Sequence, residues 1–136
     1  MAMMGIQMDD DLEQKLKRLT NHKHALIMKM ENKLLILDQE HENISMDDLR
    51  NKIPENEPRI IAYTYDFLRP SDSKLHHSAL ILVNPDPSPG GCSAKTVMVY
   101  VSSVELPKKA MNATQYLEIK NKNDLTEQWL KNHLVY

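Results

Sequence analysis

The order of strand-like and helical segments constrains the fold of this chain more than any other feature of its sequence. Two apolar runs, 25–30 and 33–40, are separated by a polar break and read as a hairpin of two strands. Two further runs, 57–68 and 76–83, read as another pair of strands. Segments whose apolar residues recur at helical spacing precede, separate and follow these pairs of strands. Interleaving of this kind predicts a single α/β or α+β domain in which helices cover a mixed sheet.

The segment 9–19 gives the clearest helical signal. Leucines recur in it at helical spacing and form one stripe, at Leu12, Leu16 and Leu19. Acidic residues occupy its first turn and basic residues its last, which the helix dipole favours. The segment therefore predicts a helix that packs its leucine stripe on the sheet.

Capping residues indicate two further helices. Ser45, followed three residues later by Asp48, begins a short helix that must stop before the next proline. Residues 123–134 predict the last helix of the chain, with Asp124 and Glu127 as its capping box. Its buried face is expected to be formed by apolar side chains, at Leu125, Trp129, Leu130 and Leu134.

The stretch 94–109 supports two opposed interpretations. The six residues from Thr96 to Val101 are nearly all β-branched or aromatic, which favours a strand. At helical spacing the same stretch forms one apolar stripe, at Val97, Tyr100, Val101 and Val104. The opposite side then carries Lys95, Met98, Val99, Ser102 and Leu106. The stretch is therefore either a buried strand or a helix whose outward side is unusually apolar.

Pro107 lies where such a helix would continue. Proline has no N–H to donate, and its ring crowds the carbonyl four residues earlier, at a cost of about 3 kcal/mol in a helix interior. A kink or a stop near Leu106 is therefore predicted.

Composition excludes several classes of function. The chain of 136 residues has only three glycines, and their positions match neither the dinucleotide-binding fingerprint nor the Walker loop. Its formal net charge of −2 gives no bulk basic field for nucleic acid or lipid. The single cysteine, Cys92, cannot form an internal disulfide, and no apolar run approaches the length of a membrane span. A reducing cytosolic compartment is the default expectation.

Histidine pairs and Cys92 are the remaining candidates for chemistry. His22 with His24, and His76 with His77, would suit a metal only with carboxylates at a fitting spacing, and none is near them in sequence. Cys92 has no histidine near it either, which favours an ordinary loop thiol over a reactive one. We therefore expect no catalytic residue, no metal and no cofactor. A small hydrolase using Cys92, or His76 and His77, is the alternative.

Three stretches resemble one family. They are "ENISMDDLRNKIPENEPRIIAYTYDF" (42–67), "CSAKTVMVYVSSVE" (92–105) and "YLEIKNKNDLTEQWLKNHL" (116–134). These stretches resemble, in turn, the short helix and central strand, the long helix, and the last strand and helix of glia maturation factors. Those proteins have actin-depolymerising-factor homology domains. The segment "NDLTEQWL" is the most specific part, because cofilins differ there.

The resemblance implies a fold. A flexible N-terminal tail over 1–8 would precede one cofilin-like domain over 9–136. This α/β domain would have a central mixed sheet of five or six strands, with helices on both faces. The stretch 94–109 would then be the long helix, with the stripe at Val97, Tyr100, Val101 and Val104 buried.

The resemblance also implies a function. Glia maturation factors look like cofilins but bind the actin-related protein 2/3 complex in place of actin, inhibit branched nucleation and promote debranching. A monomeric, non-enzymatic regulator in the cytoplasm, at cortical branched actin, is expected, with the nucleus as a further compartment. Its partners would be this complex and actin at branch junctions, with no nucleic acid and no membrane. The alternative is a cofilin-like protein that binds actin and severs or depolymerises filaments.

Two partner-binding surfaces come with the resemblance. The primary surface combines the N-terminal tail with the outward side of the long helix: Met4, Ile6, Lys95, Met98, Val99, Ser102, Lys108 and Lys109. The second surface combines a strand connection with the last helix: Arg69, Asp72, Lys74, Glu127 and Lys131. Methionine adapts to a groove and lysine steers approach, so Met98 beside Lys95 suits a desolvated contact.

Overall fold

A mixed sheet forms the centre of the fold. The computed structural model describes residues 5–19, 23–68, 74–89 and 91–133, apart from the side chains of 66–68 and 74–77. In these residues the strands are β1 (Gln7–Met8), β2 (Ala25–Glu31), β3 (Leu34–His41), β4 (Arg59–Leu68), β5 (Lys74–Val83) and β6 (Gln115–Ile119). They form one six-stranded sheet in the order β1-β3-β2-β4-β5-β6. β1 with β3 and β5 with β6 run parallel, and the other neighbours run antiparallel. The predicted mixed sheet is confirmed.

The helices begin where small polar side chains cap them. They are α1 (Asp10–Lys17), α2 (Met46–Arg50), α3 (Ala94–Ser103), α4 (Glu105–Met111) and α5 (Glu127–His133). Asp9, Ser45 and Ser93 each accept a hydrogen bond from the backbone N–H three residues later, at the starts of α1, α2 and α3. Such caps satisfy N–H groups that have no partner inside the helix. The helical predictions for 9–19 and for the segment after Ser45 are confirmed.

The connection between β2 and β3 is a tight two-residue turn. Asn32 and Lys33 have φ angles of 50° and 64°, and Glu31 pairs with Leu34 across the turn. Two consecutive positive φ angles are characteristic of the type I′ turn, which matches the twist of the strands it joins. The predicted hairpin is confirmed.

The two faces of the sheet carry different side chains and different helices. α1, α3 and α4 cover the face that holds most of the strand leucines: Leu26, Leu35, Leu80 and Leu82. α2 and α5 cover the face that holds most of the strand isoleucines: Ile27, Ile61, Ile81 and Ile119. Ile60 and Leu117 are the exceptions, each on the other face. Side chains alternate along a strand, so each strand feeds both cores, and helices lie on both faces as predicted.

The N-terminal segment departs from its prediction. Ile6 is only 1% exposed, and β1 pairs with the start of β3. The amide of Gln7 donates to the carbonyl of Lys33, and that of Asp9 to the carbonyl of Leu35, each at 2.9 Å. The expected flexible tail over 1–8 is therefore wrong for residues 6–8, because Ile6 is buried and Gln7 and Met8 pair with β3. Residues 1–4 lie outside the described residues.

The start of the last helix also differs from its prediction. Asp124 lies in a separate 3-10 turn, Lys122–Asp124, and Leu125 is fully buried between that turn and α5. The hydroxyl of Thr126 accepts the N–H of Trp129 and caps α5 in place of the predicted Asp124. Leu130 is buried and Trp129 packs against the same core as expected, whereas Leu134 lies outside the described residues.

Candidate partner-binding surface

Tyr100 fixes the orientation of α3 on the sheet. Its side chain is buried, and its hydroxyl accepts a hydrogen bond of 2.8 Å from the N–H of Met30 on β2. Burial raises the pKa of this hydroxyl above its ordinary value, so it is neutral at pH 7. Ser103, also buried, donates its hydroxyl to the carbonyl of Tyr100 at 2.8 Å. Ser103 can therefore be buried because its hydroxyl is satisfied within its own helix.

This orientation corrects the predicted stripe. The buried residues of α3 and its C-cap are Tyr100, Ser103 and Val104, and Val97 is half-buried. Val101 was expected inside but is 40% exposed. Counting apolar residues alone placed the stripe on Val101, because it assigned no weight to a serine that hydrogen-bonds within its own helix and can be buried.

The outward side of α3 is apolar. Met98 is 59% exposed, and in the part of the chain that the structure describes, Met98 and Val101 are the large hydrophobic side chains that are exposed. Ser102, half-buried one turn after Met98, donates its hydroxyl to the carbonyl of Met98 at 2.9 Å. Lys95 stands one turn before Met98 and is exposed. We call Lys95, Met98, Val101 and Ser102 the α3 surface.

The long helix is interrupted between α3 and α4. Val104 separates the two helices, and its carbonyl accepts the N–H of Lys108 at 3.1 Å. Pro107 is buried in the first turn of α4, where a missing N–H removes no intrahelical hydrogen bond. The break predicted near Leu106 is confirmed, and it lies at Val104.

The lysines predicted for the primary surface differ in their surroundings. Lys95 and Lys109 are exposed and have no ion-pair partner among the described side chains. Lys108 lies 3.8 Å from a carboxylate oxygen of Glu105 and 5.7 Å from the ring centroid of Tyr116. Lys95 and Lys109 therefore present free positive charge, whereas that of Lys108 is partly occupied within the chain.

A groove borders the α3 surface. It has a volume of about 910 Å³ and runs between the β2–β3 turn, the segment 55–59 and the start of α3. Val99, half-buried, lines it together with Met30, Lys33 and Lys95. Val99 was predicted for the partner surface, and its position makes it part of this groove rather than of the most exposed ridge. Its rim carries charges of both signs, from Lys33, Arg59 and Lys95 and from Glu55 and Glu57.

The other predicted residues do not join this surface. Ile6 is buried, and Met4 lies outside the described residues. Arg69 and Asp72 also lie outside the described residues, as does the side chain of Lys74, although its backbone begins β5.

Glu127 and Lys131 lie on α5, on the opposite face of the sheet from α3. They form an ion pair at 3.9 Å, and the hydroxyl of Tyr65 donates to the same Glu127 oxygen at 3.1 Å.

Cys92 has the environment of a structural thiol. It is buried, and its Sγ lies 3.7 Å from the carbonyl of Pro85 and 3.9 Å from that of Asp86. The side chains of His76 and His77 lie outside the described residues. None of the helices in the described part of the chain has the length and apolarity that a membrane crossing requires.

Comparison with known proteins identifies the class. The model of the cofilin/tropomyosin-type actin-binding protein family matches residues 5–135. The fold is also similar to the solution structure of glia maturation factor from Caenorhabditis elegans, with a TM-score of 0.81 and 18% sequence identity, over 98% of this chain and 99% of that one. A helix-covered mixed sheet of this kind defines a cofilin-type domain.

Sequence relatives narrow the class. The chain is 34% identical over 133 residues to glia maturation factor beta from Mus musculus, covering 93% of this chain and 91% of the relative. It is 30% identical over 119 residues to actin-depolymerizing factor 3 from Zea mays, covering 84% of this chain and 83% of the relative. The chain belongs to the cofilin/tropomyosin-type actin-binding family and, within it, to the glia maturation factors. Its function is the regulation of actin.

Proposed function

We propose that the chain binds the actin-related protein 2/3 complex, inhibits branched nucleation and promotes debranching in the cytoplasm. The observation that carries the proposal is the α3 surface, where Met98 and Val101 are exposed while Tyr100 and Ser103 bury the other side of the helix. Exposed apolar side chains beside a free cation are typical of a binding surface. Membership of the glia maturation factors supports the choice of partner.

The proposed mechanism is differential binding. Burying one large apolar side chain contributes about 1.5–3 kcal/mol, so Met98 and Val101 together can supply a substantial part of the affinity. Lys95 and Lys109 would mainly accelerate association and make it sensitive to salt. A ligand that prefers one conformation of the complex shifts the equilibrium at the branch junction, and no covalent step is required.

The remaining predicted residues are assigned to the proposal in two groups. Lys108, Lys109 and Val99 would extend the α3 surface along the helix and into the neighbouring groove, and Met4 would reach it from the N-terminus. Arg69, Asp72, Lys74, Glu127 and Lys131 would form a second contact. Because α5 lies on the other face of the sheet, that contact must involve a different part of the partner.

The test is a binding measurement with the purified complex and with monomeric actin, each at two salt concentrations. We expect the complex to be retained, more weakly at high salt. The double variant Lys95→Ala with Met98→Asp should lose this binding. Its matched control is Lys17→Ala with Gln14→Asp on α1, two exposed residues at the same spacing, with the same change in charge. Loss of binding in both variants, or in neither, would contradict the assignment to the α3 surface.

A cofilin-like role is the second candidate. It is favoured by the match to a family of actin-binding proteins and by the similarity to an actin-depolymerizing factor. Retention of monomeric actin without the complex would establish this alternative and reject the first. Imaging of branch lifetimes would then separate severing from debranching.

A further inference from the structure

His24, Glu40 and Glu42 meet at the open end of the β2–β3 hairpin. Sixteen residues separate His24 from Glu40, but the antiparallel register places Leu26 opposite Glu40 and Ala25 opposite His41. The Nε2 atom of His24 lies 2.8 Å from the Oε2 atom of Glu40. One potential ligand atom from each of the three residues lies within 4.8 Å of the others. An imidazole and two carboxylates therefore lie together at this end of the hairpin.

We propose that these three side chains bind a divalent cation of the zinc class, with water completing the coordination. Imidazole nitrogen with carboxylate oxygen suits zinc, whereas magnesium and calcium prefer oxygen ligands alone. Two ligands of one tetrahedral zinc ion, each at about 2.0–2.1 Å from it, stand roughly 3.3 Å apart. The His24–Glu40 pair therefore needs to open by only about half an ångström to admit the ion.

The surroundings hold two of the ligands in place. The side chain of His24 is only 9% exposed, so packing limits the rotation of its ring. Lys15 bonds the other oxygen of Glu40, Oε1, at 2.9 Å, which leaves Oε2 directed at His24. Partners that orient a ligand in this way strengthen metal binding.

The same surroundings limit the affinity. Lys15 and Arg18 line the adjoining cavity together with Asp11, and the two cations oppose an incoming ion. Glu42 is exposed and supplies the second carboxylate without being buried itself. Because Glu42 is exposed, its substitution tests the site without disturbing the fold.

The test uses the full chain without an affinity tag, freed of metal with a chelator and titrated with zinc alone by calorimetry. We expect one zinc ion to bind, and Glu42→Gln to weaken its binding by about tenfold or more. The matched control is His41→Gln. The ring of this neighbouring histidine lies 2.7 Å from the side-chain oxygen of Gln39, and alternation along β3 directs it to the other face from Glu40. This control should bind zinc as the unmodified chain does.

A spectroscopic readout locates the ion independently. Zinc should shift the ring nitrogen signals of His24 and leave those of His41 in place. Absence of zinc binding, equal binding by Glu42→Gln, or equal binding of magnesium would each overturn the proposal. The site is independent of the actin-related partner, so a failed zinc titration leaves the proposed function standing, and the reverse also holds.

Discussion

The outward sides of α3 and α5 look alike in sequence and differ in the structure. Both were expected to contact a partner, and both carry a lysine near their exposed side. On α5, Lys131 and Glu127 pair with each other, and Tyr65 also bonds Glu127. On α3, Lys95 has no ion-pair partner among the described side chains, and Met98 and Val101 face outward. We therefore expect α3, whose exposed side chains are uncommitted, to contribute more to partner binding than α5.

The largest expected difference in the free energy of unfolding lies between substitutions on the inward and outward sides of α3. Tyr100→Ala should lower the free energy of unfolding by about 3–5 kcal/mol, because it removes a buried ring and the partner of the Met30 amide. Val101→Ala should change it by less than about 0.5 kcal/mol, because that side chain is exposed. Denaturant titrations of both variants measure the two values. A similar loss in both would mean that Val101 is in the core.

The next largest expected effect is on partner binding, and it compares variants of α3 with variants of α5. Lys95→Ala with Met98→Asp should cost at least about 2 kcal/mol of binding to the actin-related protein 2/3 complex, the scale of an interface hot spot. Glu127→Gln with Lys131→Ala should cost less than about 1 kcal/mol, because these charges are already paired in the free protein. Equilibrium binding of each variant checks the ranking. A greater loss from the α5 variant would reverse the assignment of the primary surface.

The junction between α3 and α4 sharpens the comparison further. Pro107→Ala should change the free energy of unfolding by no more than about 1 kcal/mol, since the proline lies in the first turn of α4. A large stabilisation would mean that the break at Val104 is strained by the proline. Thermal unfolding monitored by circular dichroism distinguishes the two results.

The smallest expected change in the free energy of unfolding comes from a comparison of the paired charge of Glu40 with the unpaired charge of Lys95. Lys15 holds the pKa of Glu40 below its ordinary value of 4.5, with His24 also contributing and burial acting in the opposite direction. A lowered pKa in the folded state adds stability above the unfolded value, and this stability is lost as the pH falls through the folded value. Glu40→Gln should therefore lower the free energy of unfolding by about 1 kcal/mol or less at pH 7. At a pH below both the folded and the unfolded pKa of Glu40, the substitution should not change it. Lys95→Ala should show no such dependence between pH 7 and pH 3 in the same urea titrations.

Local patterns predicted the elements of this fold well. The leucine stripe of α1, the Ser45 cap and the β2–β3 hairpin all depend on residues near one another in the chain. Their physical causes, namely helical spacing, capping hydrogen bonds and turn conformation, are visible in a short window of sequence. The strand or helix ambiguity of 94–109 was settled by family resemblance rather than by propensity.

Tertiary contacts explain what the sequence did not reveal. β1 has only two residues, too few to show an alternating pattern in the sequence. It pairs with β3, which is distant in sequence, and Ile6 beside it is buried. The burial of Ser103 goes with the orientation of α3 that the Tyr100–Met30 hydrogen bond fixes, and without that contact the apolar stripe was placed on Val101. His24 had no carboxylate near it in sequence, because strand pairing alone brings Glu40 and Glu42 to it.

The unequal distribution of leucine and isoleucine on the strands has an experimental consequence. Methyl groups of the two residue types can be labelled separately with carbon-13, and the assigned signal of each strand residue then reports on the core that holds it. Signals from Leu80 and Leu82 would respond to events at α3, while that of Ile81, between them in sequence, would respond to events at α5. A single strand thus provides neighbouring probes for opposite sides of the molecule, and a partner can be assigned to one side before any complex is solved.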